Sequence, residues 1–195
     1  MTNRAWHLMS RPQGLPTRSD FALKELPDEA LAEGEVRVRN DWLSVDPYMR
    51  GRMNDVKSYV PPFALDEPMQ GGAVGTVIES RSPHFREGET VFHMLGWREQ
   101  AAGPAETFNK VPPLPVEPQQ WLGNLGLTGA TAYFGLLRVV QAKEGDIVFV
   151  SAAAGAVGSA VVQIAKAKGM SVIGSVGGAA AARPCSRSRR PPRSP

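Results

Sequence analysis

A short run of small residues at positions 151–158 has the spacing of a phosphate-binding turn. Counted from Ala152, it reads A-x-x-G-x-x-G, so that Gly155 and Gly158 stand at the second and third marked positions. The first of these glycines lets the backbone approach a pyrophosphate, and the second lets the following helix pack closely on the preceding strand. The spacing therefore predicts a dinucleotide-binding site, with a purely structural turn as the alternative.

The segments on either side of the turn are those that a dinucleotide-binding site requires. The apolar run 147–152 predicts a strand, residues 157–168 have helical periodicity, Gly169 is a helix stop, and residues 170–176 predict a second strand. Strand, turn, helix and strand within about 30 residues form a βαβ unit with parallel strands. The free amides of the first helical turn would then face the phosphates.

The end of the second predicted strand bears on the choice between the two nicotinamide dinucleotides. An NAD site usually has an acid there, about 20 residues past the first marked position, to bind the ribose 2′-hydroxyl. Residues 173–178 read IGSVGG and contain no carboxylate. Small polar Ser175 leaves space for a 2′-phosphate, so the sequence favours NADP over NAD.

The rest of the chain divides into three parts by pattern. Residues 1–117 are rich in short apolar runs between turn signals, and the alternation over residues 35–39 predicts a half-buried strand in an irregular barrel or sandwich. Residues 118–178 carry helical spacing and the βαβ unit. Residues 179–195 have prolines, arginines and no apolar periodicity, and we expect them to be disordered. The fold class is therefore α/β plus β.

Charge and cysteine content exclude several classes of protein. The net charge of +3 comes from five arginines in residues 179–195, and subtracting them leaves −2, so the body has no basic surface for nucleic acid. The single cysteine, Cys185, gives neither a disulfide framework nor a cysteine metal site. No apolar run approaches the roughly 20 residues that span a bilayer. These features predict a soluble, cytoplasmic protein without a membrane partner.

Two further stretches identify a family. NDWLSVDPYMRGRM at 40–53 and LGLTGATAYFGLL at 125–137, together with AGAVGS at 154–159, resemble signature segments of the medium-chain dehydrogenase/reductase superfamily. Within it they are most similar to the zinc-independent, NADP-dependent branch of prostaglandin reductases and alkenal double-bond reductases. The resemblance covers residues 1–178.

This resemblance implies a GroES-like catalytic domain over 1–117 and a Rossmann NADP-binding domain over 118–178, with catalysis in the cleft between them. The implied reaction is hydride transfer to the C=C bond of an α,β-unsaturated aldehyde or ketone, an enal or enone. Tyr48 would line the nicotinamide and substrate pocket, and Thr131 would lie near the nicotinamide ring. The residues implied to hold the pyrophosphate are Ala154, Gly155, Ala156, Val157 and Gly158. Tyr48 as a packed aromatic residue, and Thr131 as a helix residue bonded to a backbone carbonyl, are the alternatives.

Zinc catalysis, which many superfamily members use, does not fit this sequence. Residues 1–178 contain no cysteine, and His7, His84 and His93 show no paired metal spacing. We therefore expect no metal site. A quinone oxidoreductase, which shares the fold and lacks zinc, is the alternative within the enzymes. An inactive fragment whose arginine tail binds nucleic acid nonspecifically is the alternative from another class.

The chain departs from the family pattern after about residue 178. The family lysine that binds the 2′-phosphate would fall near Ala181, and its enolate-stabilising tyrosine would fall beyond residue 195. We therefore expect a truncated or frameshifted chain that holds only the first βαβ unit of an incomplete Rossmann domain. Its NADPH binding should be weak or absent, and we expect no alkenal turnover from the chain alone. Homodimers, which are common among relatives through the missing part of the domain, are not expected here.

Overall fold

The structure, a computed structural model, describes residues 2–178 of the chain and divides it into two compact units between Leu122 and Gly123. The predicted disordered tail, residues 179–195, lies outside the described residues. The predicted domain boundaries after residues 117 and 178 stay predictions.

The first unit is built mainly from antiparallel strands. The strands are β1 (Asn3–Leu8), β2 (Phe21–Leu26), β3 (Glu35–Leu43), β4 (Ala73–Ser80), β5 (Thr90–His93), β6 (Gln100–Pro104) and β7 (Asn109–Lys110). Five of them form a sheet in the order β6-β3-β4-β5-β7, in which β3, the longest strand, pairs with β6 on one side and β4 on the other. The other two strands, β1 and β2, form a hairpin.

The hairpin and the sheet are not one closed barrel. They are tied through the isolated bridges Ala5–Arg98 and His7–Pro68. A short helix, α1 (Tyr48–Arg52), follows β3, and single 3-10 turns occupy Arg18–Asp20, Ala105–Thr107 and Pro118–Leu122. This irregular β architecture agrees with the fold class predicted from the sequence.

The alternation predicted for residues 35–39 is present in β3, with one difference. Val36 and Val38 are fully buried in the main core of the first unit, as the pattern predicts. Arg37 is also buried, because it forms ion pairs with Glu79 at 3.0 Å and Asp28 at 3.3 Å. Arg37 is therefore covered, whereas Arg39, on the same face of the strand, stays exposed to water.

The second unit contains the predicted βαβ arrangement. Strands β8 (Ile147–Val150) and β9 (Ser171–Gly174) are parallel neighbours, and helix α3 (Ala156–Ala167) connects them. Gly169, with φ of +78°, ends the helical segment as predicted, because a left-handed residue there suits glycine. Leu136, Ala165 and Met170 form the core, and Val148 and Val172 pack against it.

The segment with helical spacing before β8 is split into different kinds of helix. Helix α2 covers Leu127–Phe134, and a π-helical turn continues it over Gly135–Val139. One face of α2 packs on α3. The helical spacing noted in the sequence after residue 118 is therefore present as helix in these two elements.

Candidate functional site

The predicted glycine turn occupies residues 151–155, between β8 and α3. Gly155 is the extended residue that caps the helix, and its N–H donates to the Ala152 carbonyl at 2.8 Å. The Gly155 carbonyl in turn accepts a hydrogen bond from the Ser159 amide, also at 2.8 Å. Helix α3 begins at Ala156, one residue before the predicted start.

Three backbone amides at the start of α3 make no hydrogen bond within the part of the chain that the structure describes. They belong to Ala156, Val157 and Gly158, and no side chain caps them. A helix leaves its first amides without intrahelical acceptors, and its dipole makes this end positive. An anionic group at this end of α3 would supply the acceptors that these amides lack.

Two glycines of the turn have little or no room for a side chain. A Cβ atom on Gly158 would lie 2.2 Å from the Ala152 carbonyl oxygen, inside any permitted contact. A Cβ atom on Gly155 would lie 3.1 Å from the same oxygen. This is the close approach that the fingerprint requires of its glycines. Ala154, Gly155, Ala156 and Val157 are exposed, so the surface above the turn is open to a ligand.

The end of β9 is fastened to this turn. The Ser175 amide donates to the Val150 carbonyl at 2.9 Å, and the Ser175 carbonyl accepts from the Ala153 amide at 2.9 Å. A Cβ atom on Gly174 would lie 2.6 Å from the Ala153 methyl group, so this contact also requires glycine. Ser175 is exposed beside the turn, as a residue that contacts the ribose of a bound dinucleotide would have to be.

These features fit the pyrophosphate of a dinucleotide. Unpaired amides supply donors, and the glycines allow the backbone to approach closely. Residues 151–158 and 173–178 contain no carboxylate that would repel phosphate. The sequence missed one feature, the left-handed backbone of Ala152, whose φ is +50°. Ala152 stands where other dinucleotide-binding fingerprints carry their first glycine, and this position could have indicated a left-handed backbone.

Thr131 lies in α2 and is exposed. Its hydroxyl donates to the Leu127 carbonyl at 2.7 Å, which is the helix back-bond given as the alternative interpretation. The oxygen keeps a lone pair that can still accept a hydrogen bond. A role beside a nicotinamide ring therefore stays a prediction for this residue.

Tyr48 begins α1 and is half-buried. It packs against the cluster of Leu8, Met49, Met53, Phe63 and Met69. Its hydroxyl is completely buried and has no hydrogen-bond partner among the described residues. Burial, and to a smaller extent the charge of Asp46, raises the pKa of the Tyr48 hydroxyl, so this group is a proton donor at neutral pH. The sequence could not show that it is unpaired.

Trp97 is a second buried donor in the same cluster. Its indole Nε1 has no partner among the described residues, and its φ of +64° is unusual for a bulky residue. A Cβ atom on Gly71 would lie 3.3 Å from this nitrogen and 2.5 Å from the Met49 Cε. Trp97 was not predicted as a site residue, because a tryptophan before a strand gives no local sequence signal of an unusual backbone conformation.

Residues 4–111 match the model of a family described as the N-terminal domain of oxidoreductase. The chain belongs to this oxidoreductase family. The match confirms the resemblance to the medium-chain dehydrogenase/reductase superfamily, whose GroES-like fold the first unit has.

Relatives within this oxidoreductase family include reductases from bacteria and plants. The chain is 44% identical over 177 residues to an NADPH-dependent curcumin reductase of Escherichia coli (strain K12), covering 91% of the chain and 51% of the relative. It is 41% identical to a 2-alkenal reductase (NADP(+)-dependent) of Nicotiana tabacum, covering 91% of the chain and 53% of the relative.

Solved structures agree with these relatives. CurA from Vibrio vulnificus in complex with NADPH is 46% identical, with a TM-score of 0.83 over 90% of this chain and 52% of that one. The chain therefore spans about half the length of the oxidoreductases that it matches.

Two histidines of this oxidoreductase chain are buried in the first unit. His93 is buried in the first unit, where its Nε2 bonds to the Asn40 side-chain oxygen at 2.9 Å. His7 is also buried, with its Nδ1 3.6 Å from an Asp66 oxygen. Across residues 2–178, no group of three or more histidine, cysteine or acidic residues could hold a metal ion. Over the same residues, no helix is long and apolar enough to cross a membrane.

Proposed function

We propose that this chain is part of an NADP-dependent oxidoreductase that reduces the C=C bond of α,β-unsaturated aldehydes or ketones. The observation that carries the proposal is the set of unpaired amides at Ala156, Val157 and Gly158, above glycines that leave room for a phosphate. The names of the curcumin and 2-alkenal reductases support the substrate class. A bound NADPH would supply the hydride for the reaction.

In this proposal the glycine turn holds the pyrophosphate of the dinucleotide. The amides of α3 donate hydrogen bonds to its oxygens, and the helix dipole favours its negative charge. The missing side chain at Gly155 lets the backbone of residues 154–158 come within hydrogen-bond distance. Because these groups belong to a helix fastened to β8 and β9, they need no rearrangement before they bind.

Ser175 is proposed to select the phosphorylated cofactor. It lies exposed at the end of β9, where its backbone is fixed by hydrogen bonds to Val150 and Ala153. A hydroxyl there can donate to a 2′-phosphate, whereas an acid would repel the phosphate and favour the free 2′-hydroxyl of NAD. The absence of a carboxylate over residues 173–178 supports this choice.

Tyr48 and Thr131 are proposed to act on the reacting part of the ligands. The Tyr48 hydroxyl keeps its proton at neutral pH and has no partner among the described residues, so it would donate to a substrate oxygen once its side chain turns out of the buried position. The Thr131 hydroxyl oxygen can accept a hydrogen bond from the carboxamide of a nicotinamide ring while its own proton stays hydrogen-bonded to the Leu127 carbonyl.

We also propose that residues 1–195 alone are impaired and turn over 2-alkenals slowly or not at all. Ile147, Phe149 and Ile173 leave one face of the β8–β9 pair exposed, so the second unit is poorly supported. A quinone oxidoreductase is the alternative, and a panel of 2-alkenals and quinones with NADPH separates the two. Faster loss of NADPH absorbance with quinones than with 2-alkenals would favour that alternative.

Nucleotide preference gives the sharper test, because binding does not require turnover. NADPH and NADH are titrated separately to millimolar concentration into ¹⁵N-labelled chain, and the amide signals of the α3 N-terminus are followed by NMR. We expect NADPH to shift these signals at lower concentration than NADH. Ser175→Asp should weaken NADPH binding by roughly tenfold, about 1.4 kcal/mol.

Ser175→Asn is the matched control, since it has nearly the same shape as the aspartate without its charge. It should bind NADPH within a few-fold of the natural chain. The proposal fails if neither nucleotide shifts the α3 amides, or if aspartate and asparagine at position 175 have equal effects.

A further inference from the structure

Arg98 is a partly buried arginine without a counterion in the described part of the chain. It lies between Trp97 and β6, and its Nε is completely buried with no hydrogen-bond partner. No ion pair or side-chain hydrogen bond involves its guanidinium among residues 2–178. The residue as a whole keeps some exposure, so the terminal nitrogens of the guanidinium reach the surface while its Nε faces the interior.

Such an arrangement is unusual, because a desolvated guanidinium is normally paired. Arg37, a buried arginine of the same unit, has both Glu79 and Asp28 as partners. The acidic residue next to Arg98 in sequence is Glu99, but its carboxylate forms an ion pair with Arg4. Glu99 accepts from the Arg4 backbone amide at 3.0 Å and from the Arg4 Nε at 3.0 Å.

The neighbouring polar groups are satisfied among themselves. The Leu95 amide donates to His93 Nδ1 at 3.0 Å, so the proton of this imidazole is on Nε2, which donates to Asn40 Oδ1 at 2.9 Å. The Asn40 amide group then donates to the backbone carbonyls of Leu95 and Arg98, at 3.2 and 2.9 Å. None of these atoms accepts a hydrogen bond from the Arg98 guanidinium.

Electrostatics agree with an unpaired charge at this position. Burial lowers the pKa of the Arg98 guanidinium from its ordinary value. Burial also lowers the pKa of His93, and the nearby Arg98 charge lowers it further. The first unit therefore holds a cation whose desolvation is uncompensated, and an anion beside it would be attracted strongly.

We propose that Arg98 is a binding site for a carboxylate group, held by two parallel N–H donors of the guanidinium. The planar fork of arginine matches the two oxygens of a carboxylate. A single arginine beside neutral His93 and Asn40 suits one negative charge better than a phosphate dianion. The carboxylate can come from a small organic acid or from an acidic side chain of a second copy of the chain. This proposal does not rest on the nucleotide site proposed above.

The test replaces chloride by acetate at constant ionic strength and follows thermal unfolding of the full 195-residue chain. We expect acetate to raise the melting temperature by several degrees, because a ligand that binds only the folded state stabilises it. Arg98→Gln should abolish this rise. Arg98→Lys, which keeps the charge without the fork, should lose most of it.

Arg86→Gln is the matched control, since Arg86 is an exposed arginine of the same unit and its substitution changes the charge equally. This variant should keep the whole acetate effect. A measurement on the natural chain avoids any folding defect of the variants: the protected Nε–H signal of Arg98 in a ¹⁵N spectrum should shift on addition of acetate and not of chloride.

Sedimentation distinguishes the two sources of the carboxylate. If a second copy supplies it, the natural chain dimerises, and acetate or Arg98→Gln dissociates the dimer. If a small acid supplies it, acetate raises the melting temperature, and neither acetate nor Arg98→Gln changes the association state of the chain. The proposal is overturned if acetate stabilises the natural chain and Arg98→Gln equally, or if acetate alters neither the melting temperature, the Nε–H signal nor the association state.

Discussion

Ala152 adopts a left-handed backbone conformation at the first marked position of the glycine turn. An alanine pays roughly 1–2 kcal/mol for such a conformation, whereas glycine adopts it freely. The carbonyl of the same residue lies close under Gly155 and Gly158, so the turn depends on this conformation. The strained backbone of Ala152 therefore helps to shape the proposed phosphate-binding turn.

Replacing Ala152 by glycine should relieve this strain. We expect Ala152→Gly to raise the free energy of unfolding by up to about 1 kcal/mol, since part of the gain is lost to greater freedom of the unfolded chain. Urea denaturation followed by circular dichroism measures it. Ala153→Gly, at a neighbour without positive φ, should instead lower stability by about 0.5–1 kcal/mol. Equal losses in both variants would contradict the strain at residue 152.

Gly158 offers a test of close packing at the same turn. A Cβ atom there would lie 2.2 Å from the Ala152 oxygen, so we expect Gly158→Ala to cost about 1–3 kcal/mol of stability and to weaken NADPH binding. Gly135→Ala is the control in the same unit, because nothing lies within 4 Å of its Cβ position. That variant should be neutral or about 1 kcal/mol more stable. Urea denaturation and the NADPH titration check both.

At the scale of elements, His93 and Asn40 join β5 to β3. Their hydrogen bond lies between two strands that are not neighbours in the sheet, since β4 separates them. Burial, with a smaller contribution from the Arg98 charge, lowers the pKa of His93 to about 4 from its ordinary 6.5. The packing of this unit therefore requires His93 to be neutral.

This pKa predicts how stability depends on pH. Because folded His93 binds a proton less readily than unfolded His93, stability is full above pH 6.5 and falls as pH decreases towards about 4. The total loss should be about 3 kcal/mol. Urea denaturation at several pH values measures this slope. His93→Gln should flatten it, whereas His84→Gln, at an exposed histidine, should leave it unchanged; the same slope in all three chains would refute the assignment.

At the scale of the whole molecule, one apolar surface stands out in the second unit. Ile147 is 72% exposed, Phe149 66% and Ile173 57%, and all three lie on one face of the β8–β9 pair. Val148 and Val172, on the opposite face, pack against the core. A two-stranded sheet with one uncovered apolar face is prone to association with other chains.

Adjacent residues of β8 give a matched pair for testing this surface. Phe149→Thr should reduce self-association of the chain, measured by sedimentation velocity, with little loss of helix content. Val148→Thr, on the packed face, should instead lower the free energy of unfolding by about 1–3 kcal/mol and leave the exposed surface intact. Unchanged association of the Phe149→Thr chain would mean that another surface is responsible.

The sequence by itself determined the βαβ unit, the helix stop at Gly169 and the glycine spacing of the turn. These depend on local patterns, because strand and helix periodicity and glycine conformations involve residues close along the chain. Val36 and Val38 were predictable for the same reason. The family resemblance rested on similarly local motifs, and the match over residues 4–111 bears it out.

Tertiary structure alone decided which polar groups lack partners. The burial of the Tyr48 hydroxyl and of the Arg98 Nε is produced by atoms from distant parts of the chain. The His93–Asn40 bond spans 53 positions in sequence, and the ion pairs of Arg37 join segments that no periodicity connects. Desolvation and pairing depend on what surrounds an atom in space, and the residue types along the chain do not state those surroundings.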